Sequence, residues 1–227
     1  MTFIKIGRCL ALAVLILGAA GSLNASVIAS STFDTNDEGW MNGNFDGTTG
    51  SPTSVNYFST GGNPAGQIQV YDNYYWNAFL APAAFLGNQS AAYLGTLTFD
   101  IYDNYTDSSL EPAVMISDGT NFLYSPLLLD SSVQGPTWHS LSVQFLASTG
   151  WTNSLYGGSP VSEALMQSVL SNLQIIAIEA DWHSGDDDVH LDNVILRSAN
   201  AGVPEPASVL MFLGGLSLVL AKLRKRS

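Results

Sequence analysis

Short stretches of alternating apolar and polar residues, separated by Gly, Pro, Asn and Asp, fill most of the chain between residues 50 and 200. Leu97, Phe99 and Ile101 alternate with Thr98, Asp100 and Tyr102, and residues 138–145 alternate in the same way. A period of two sends successive side chains to opposite faces, so such a stretch reads as a half-buried antiparallel strand. Turn-forming residues bound seven candidates, at 53–59, 66–71, 93–102, 113–118, 137–145, 173–182 and 189–197. One segment departs from this pattern. Val161, Leu165 and Val169 recur every four residues, with Met166 and Leu170 beside them, which predicts an amphipathic helix. Ser159 supplies its N-cap and Pro160 its first helical position. No repeat or low-complexity linker divides residues 30–200, so the pattern predicts one domain: a mostly β antiparallel sandwich with one short helix covering an opening between the sheets.

Two apolar runs of another kind flank this domain. Residues 10–17 follow Lys5 and Arg8 and precede the small residues of 18–29, the order of a secretory signal peptide, taken as residues 1–25. Cleavage after Ala25 and after Ala29 both fit. An uncleaved anchor is the competing reading, for which the run is short. Near the other end, residues 207–221 form an apolar stretch followed by Lys222, Arg224, Lys225 and Arg226. At about 1.5 Å per residue it reaches roughly 22 Å, against about 30 Å of hydrocarbon. Snorkelling cations and local thinning close that gap for a transmembrane helix, and the cations hold this end in the cytoplasm. An ordinary tail anchor is the alternative.

Val203, Pro204, Glu205 and Pro206, the apolar helix with its Gly214–Gly215 pair, and the basic cluster together resemble the PEP-CTERM sorting domain, over residues 202–226. That resemblance implies export through the secretion translocon, a membrane-held intermediate, and recognition and removal of the tail by an exosortase. The destination it implies is the outer surface or exopolysaccharide matrix of a Gram-negative bacterium. The four motif residues are then substrate, and the two prolines keep the segment extended.

Charge sharpens this picture. Of the 19 Asp and Glu, 18 lie between residues 26 and 203, where Arg197 is the single basic residue, a net charge of −17 for that span. Such a body repels nucleic acid and anionic membrane, because polyanions need neutralising Lys and Arg. Five Trp, nine Tyr and ten Phe argue against disorder. The single Cys9 falls in the leader, so the body has no disulfide and no thiol nucleophile.

A second resemblance runs through the body. Phe33-Asp34, Glu38-Gly39-Trp40, Gly62-Asn63-Pro64 with Gly66, Ala81-Pro82, residues 85–90, Tyr93 and Leu97, and Leu191-Asp192-Asn193-Val194 are similar to the laminin B (laminin type IV) domain, over residues 31–198. Leu94 stands where that family commonly has Gly, and the family's Arg and Lys are nearly absent. The resemblance implies a jelly-roll sandwich of the galactose-binding-like kind, used as a binding or matrix module. It also implies a structural Ca²⁺ shared by the first and last strands, with Asp34 and Asp192 in the matching positions. Strict alternation leaves a parity conflict there, since Val189 and Leu191 but also Val194 and Leu196 look buried. A bulge near Asp192-Asn193 would reconcile them and aim Asp192 at an ion. The plainer reading has Asp34 and Asp192 capping turns.

Other candidates are weaker. Asp186, Asp187 and Asp188 lack the spacing of a calcium loop and fit a solvated turn. His183 and His190 flank that turn and, with Asp181, could hold Zn²⁺, but nothing in their spacing is diagnostic. Tyr74, Tyr75 and Trp76, with Trp151 and Trp182, could form a platform on which sugar rings stack; core packing is the alternative. No Gly-x-Ser-x-Gly elbow, Walker loop or dinucleotide fingerprint occurs. The sequence therefore predicts an exported, non-enzymatic surface or matrix protein. A carbohydrate-binding or adhesive module is the first alternative, and a glycan hydrolase with paired carboxylates the second.

Overall fold

A computed structural model describes residues 25–46, 51–71, 74–103, 111–129, 135–155, 157–182 and 188–199. The leader's apolar run, the motif residues Val203, Pro204, Glu205 and Pro206, residues 207–221, His183, Asp186 and Asp187 lie outside the described residues. The strands in chain order are β1 (Val27–Ser31), β2 (Met41–Asn44), β3 (Thr53–Ser54), β4 (Asn56–Phe58), β5 (Gln67–Tyr71), β6 (Asn77–Leu80), β7 (Thr96–Asp103), β8 (Glu111–Pro112), β9 (Val114–Ser117), β10 (Phe122–Tyr124), β11 (Leu128–Leu129), β12 (Gly135–Gln144), β13 (Ile175–Glu179) and β14 (Asp188–Arg197), with one α-helix, α1 (Glu163–Ser171). The first sheet runs β12-β7-β14-β5-β4, with β1 also paired to β14. The second runs β10-β9-β13-β6-β2-β3, and β8 pairs with β11 alone. All pairings are antiparallel.

Each of the seven expected strands contains a real one, with one division. The stretch 53–59 breaks at buried Val55, so that Thr53–Ser54 pairs with β2 in the second sheet and Asn56–Phe58 with β5 in the first. This segment crosses between the layers. The inner faces meet in a core that includes Trp40, Phe79, Phe85, Phe99 and Phe145. Trp40 packs edge-on against Phe33 and Phe85, with ring centroids 6.2 and 5.5 Å away, and its Nε1–H donates to Ser31 Oγ at 2.9 Å. Buried indoles need such a partner for their polar atom.

The helix starts later than the sequence predicts. Ser162, not Ser159, is the N-cap: its Oγ accepts from the Leu165 N–H at 3.2 Å. Pro160 is bridged to Thr152, and the Val161 N–H donates to the Trp151 carbonyl at 2.9 Å. Residues 159–161 are thus held extended, and the first free turn begins after them. Met166, Val169 and Leu170 form the buried face of α1, with Leu165 at its margin.

The second sheet also carries apolar residues on its outer face. Ala78, Met115, Tyr124 and Ala177 point away from the main core and gather with Phe45, partly covered by Trp76, Leu80, Phe122, Leu155 and Ile175. Alternation therefore fails on this sheet because both of its faces are covered.

Candidate functional site

β14 is the strand on which the first sheet is organised. One edge pairs with β7, from Val189 opposite Asp103 to Arg197 opposite Thr96. The other edge is shared in tandem: β5 takes Asp188–Leu191, and β1 takes residues 194–197. The register shifts between Asp192 and Ile195, and Asn193 adopts φ 50°, so a bulge fills the gap between the two partner strands. Val189, Leu191, Val194 and Leu196 are all buried in the core. The parity conflict is resolved as expected, by a residue in the left-handed region.

Asp192 occupies this gap and is 0 % exposed. Its direct cross-strand partner is Asp100 on β7, whose own partner on the far side is Ser140 on β12. The sequence pointed to Asp192 and Asp34 but not to Asp100, although its polar position within 97–102 put it on this outer face. Asp100 is fully engaged: Oδ1 accepts from Ser140 Oγ at 2.5 Å, and Oδ2 from Asn193 Nδ2 at 2.8 Å and Asn63 Nδ2 at 3.2 Å. Asp192 Oδ2 accepts from the Asn63 N–H at 2.6 Å, and Oδ1 from the Asn193 N–H at 2.7 Å. Asn193 Nδ2 also donates to the Asn63 carbonyl. The loop holding Asn63 is thereby clamped onto the bulge.

The end of β1 and the start of β5 meet at the same place. A Cβ on Gly66 would lie 1.7 Å from the Phe33 carbonyl oxygen, so only glycine permits this approach. Phe33, itself at φ 51°, carries the chain into Asp34, whose Oδ2 accepts from Thr32 Oγ1 at 2.8 Å. Glu38 Oε1 closes the turn by accepting from the Phe33 N–H at 2.8 Å and the Thr32 N–H at 3.1 Å.

Two like charges across a ladder repel, and no Lys or Arg offsets them here. Burial, and then the Asp100 and Asp34 carboxylates, push the Asp192 carboxyl up to about 6, against the two N–H donors that pull it down. The structure thus brings Asp34 and Asp192 into electrostatic contact. The side chains that meet around the bulge, Asp192, Asp100, Asn63 and Asn193, carry carboxylate or amide oxygens. Among the described residues no group of three or more Asp, Glu, His or Cys side chains converges on one point.

The aromatic residues expected to share a platform diverge. Tyr74, Tyr75 and Trp76 lie in the turn before β6 rather than in a strand. Tyr75 is 99 % exposed, whereas the Tyr74 hydroxyl donates to the Ser51 carbonyl at 2.6 Å. Trp76 turns inward, its ring 4.9 Å from Phe45 and its Nε1–H donating to Glu179 Oε1 at 2.6 Å. Trp151 and Trp182 are buried and offer no face to solvent. His190 lies on β14 beside Tyr102, 5.3 Å between ring centroids, with Nε2 3.0 Å from Asp188 Oδ1. Burial pulls the imidazole below its usual value, partly offset by Asp188.

Two antiparallel sheets, closed by a last strand that pairs with the first and held there by a carboxylate bulge, define a β-sandwich module. The chain belongs to the Laminin B (Domain IV) family, whose sequence profile matches residues 75–210. It is 30 % identical over 173 residues to laminin subunit gamma-1 of Xenopus tropicalis, covering 76 % of this chain and 10 % of that one. It is 28 % identical over 180 residues to the human laminin subunit gamma-1, covering 79 % and 11 %. The chain thus spans about a tenth of the length of these relatives. Among solved structures it is similar to the L4b domain of human laminin alpha-2, with TM-score 0.56 and 14 % identity, covering 77 % of this chain and 98 % of that domain. At that identity the likeness concerns the fold.

Proposed function

We propose that this chain is an exported, non-enzymatic laminin-IV-type module that is sorted to the outer surface or exopolysaccharide matrix of a Gram-negative bacterium. The observation that carries this reading is the match to a family of matrix-protein domains, in a body bounded by two address-like segments. On this reading the signal peptide engages the secretion translocon, residues 207–221 hold the intermediate in the membrane, and an exosortase acts at Val203, Pro204, Glu205 and Pro206. Cleavage after Ala25 leaves β1 whole, whereas cleavage after Ala29 would remove three of its five residues. Keeping β1 whole supports the first site. Immunodetection in fractionated host cells should find the protein on the surface when the exosortase is present and in the membrane when it is deleted. Equal surface levels in both strains would contradict the sorting step.

Calcium belongs to the same proposal. The buried Asp192 carboxylate and the electrostatic influence of Asp34 and Asp100 on it suit a hard divalent cation. Asp34 and Asp192 would supply the carboxylates, and main-chain carbonyls and water the remaining oxygens. The ion's contribution would be to neutralise charge where the first and last strands meet.

A second reading, a carbohydrate-binding or adhesive module, is favoured by a pocket of mixed aromatic and polar lining on the second sheet.

A further inference from the structure

The pocket lies on the outer face of the second sheet, away from the carboxylate bulge, and measures about 340 Å³. That falls within the roughly 300–1,000 Å³ of pockets that hold small ligands. Asp46, Phe122, Tyr124, Asn153, Ser154 and Leu155 line it. Phe122 and Tyr124 sit two positions apart on β10 and so share a face. Tyr124 is backed by Phe45, with ring centroids 6.3 Å apart. Thr152 exchanges both main-chain hydrogen bonds with Tyr124, at 2.9 and 3.1 Å, which fixes the 153–155 segment beside the rings.

The polar groups have a definite character. Asn153 Oδ1 is occupied by the Ser159 N–H at 2.9 Å, leaving Nδ2 as its free donor. Neither that amide, the Ser154 hydroxyl nor the Tyr124 hydroxyl bonds to another described residue. Burial and then the Asp46 carboxylate push the Tyr124 phenol above its usual value, so it stays protonated and able to donate. Asp46, which accepts from Asn44 Nδ2, is the one carboxylate among the described lining residues.

We infer that this pocket receives a neutral sugar unit of a polysaccharide, with its C–H face against Phe122 and its hydroxyls shared among Tyr124, Asp46, Asn153 and Ser154. Three donors require a ligand rich in acceptor oxygens, which an ammonium group lacks. A carboxylate, with no basic residue among the described lining residues, rejects uronates, sulfates and phosphates. A sugar hydroxyl both donates and accepts, and so satisfies both sides. This rests on the carbohydrate-binding reading and moves its site from the Tyr74–Tyr75–Trp76 turn to β10.

The test is calorimetric titration of the full chain with cellohexaose, xylohexaose, maltohexaose and agarohexaose, with trigalacturonate and tetramethylammonium as charged probes. At least one neutral oligosaccharide should bind, and Tyr124→Phe and Asp46→Asn should each weaken it at least tenfold, Tyr124→Phe without moving Tm. Tyr75→Ala should bind as the parent does. If the parent binds a hexaose and both pocket variants match it, the pocket assignment fails while carbohydrate binding stands. If the parent binds no hexaose, or binds only a charged probe, both fail.

Discussion

Consider Asp192 stripped of any metal. Its carboxyl titrates near 6 in the folded protein, because it is buried and faces Asp100 and Asp34. In the unfolded chain it returns to about 3.8. The gap is about two pH units at about 1.4 kcal/mol each, so this group costs on the order of 2 to 3 kcal/mol of stability at neutral pH. The sign follows from which state holds the proton. Between about pH 4 and 6 the folded state binds the extra proton, so stability is greatest at the acid end and falls as pH rises through 6. Asp192→Asn removes the titration. The amide retains one oxygen for the two N–H donors of Asn63 and Asn193, so it loses about 1 kcal/mol at every pH. In EGTA, Tm of the parent relative to Asp192→Asn should therefore fall by roughly 4 to 8 °C between pH 4.5 and 7.5. Excess calcium should recover that loss for the parent at pH 7.5, do little at pH 4.5, and leave the variant unmoved. Parallel Tm–pH curves for the two proteins, or equal calcium shifts in both, would refute the reasoning.

Other perturbations follow from single contacts. Gly66→Ala drives a methyl into the Phe33 carbonyl where β1 and β5 abut, and should cost more than about 3 kcal/mol in urea unfolding, or prevent folding. Leu94, at φ 63° and 41 % exposed, bears a side chain in the left-handed region. Leu94→Gly should raise stability by up to about 1 kcal/mol, the relieved strain exceeding the added chain entropy. Ser162→Ala removes the bond to the Leu165 N–H and should lower stability by about 1 kcal/mol.

The sequence revealed most where one face of a strand is buried and the other wet. β7 and β12 lie in the first sheet and alternate apolar with polar residues in sequence. In β14 the conflict between Leu191 and Val194 points to the bulge that the register shift confirms. The second sheet was harder to read, since covering both faces erases the period of two. β2, Met-Asn-Gly-Asn, carries almost no apolar signal, and the Nδ2 of buried Asn42 donates to the Tyr71 carbonyl at 3.1 Å. β1 was hidden for another reason: its small residues continue those of the leader, and only pairing with β14 marks them as strand. The site was half legible. Asp34 and Asp192 are local to their motifs, whereas Asp100 and Asn63 reach Asp192 through long-range register. The aromatic turn misled because three consecutive rings look like a surface, and two of them are held by Ser51 and Glu179.

The central claim is that the module is an exported body delivered by removable addresses, and intact-mass spectrometry of the protein on the host's surface tests it most directly. The expected mass begins at Ser26 and lacks Lys222–Ser227, leaving a body whose span from residue 26 to 203 carries a net charge of −17. A surface species that still carries residues 1–25 or the basic tail would contradict the account.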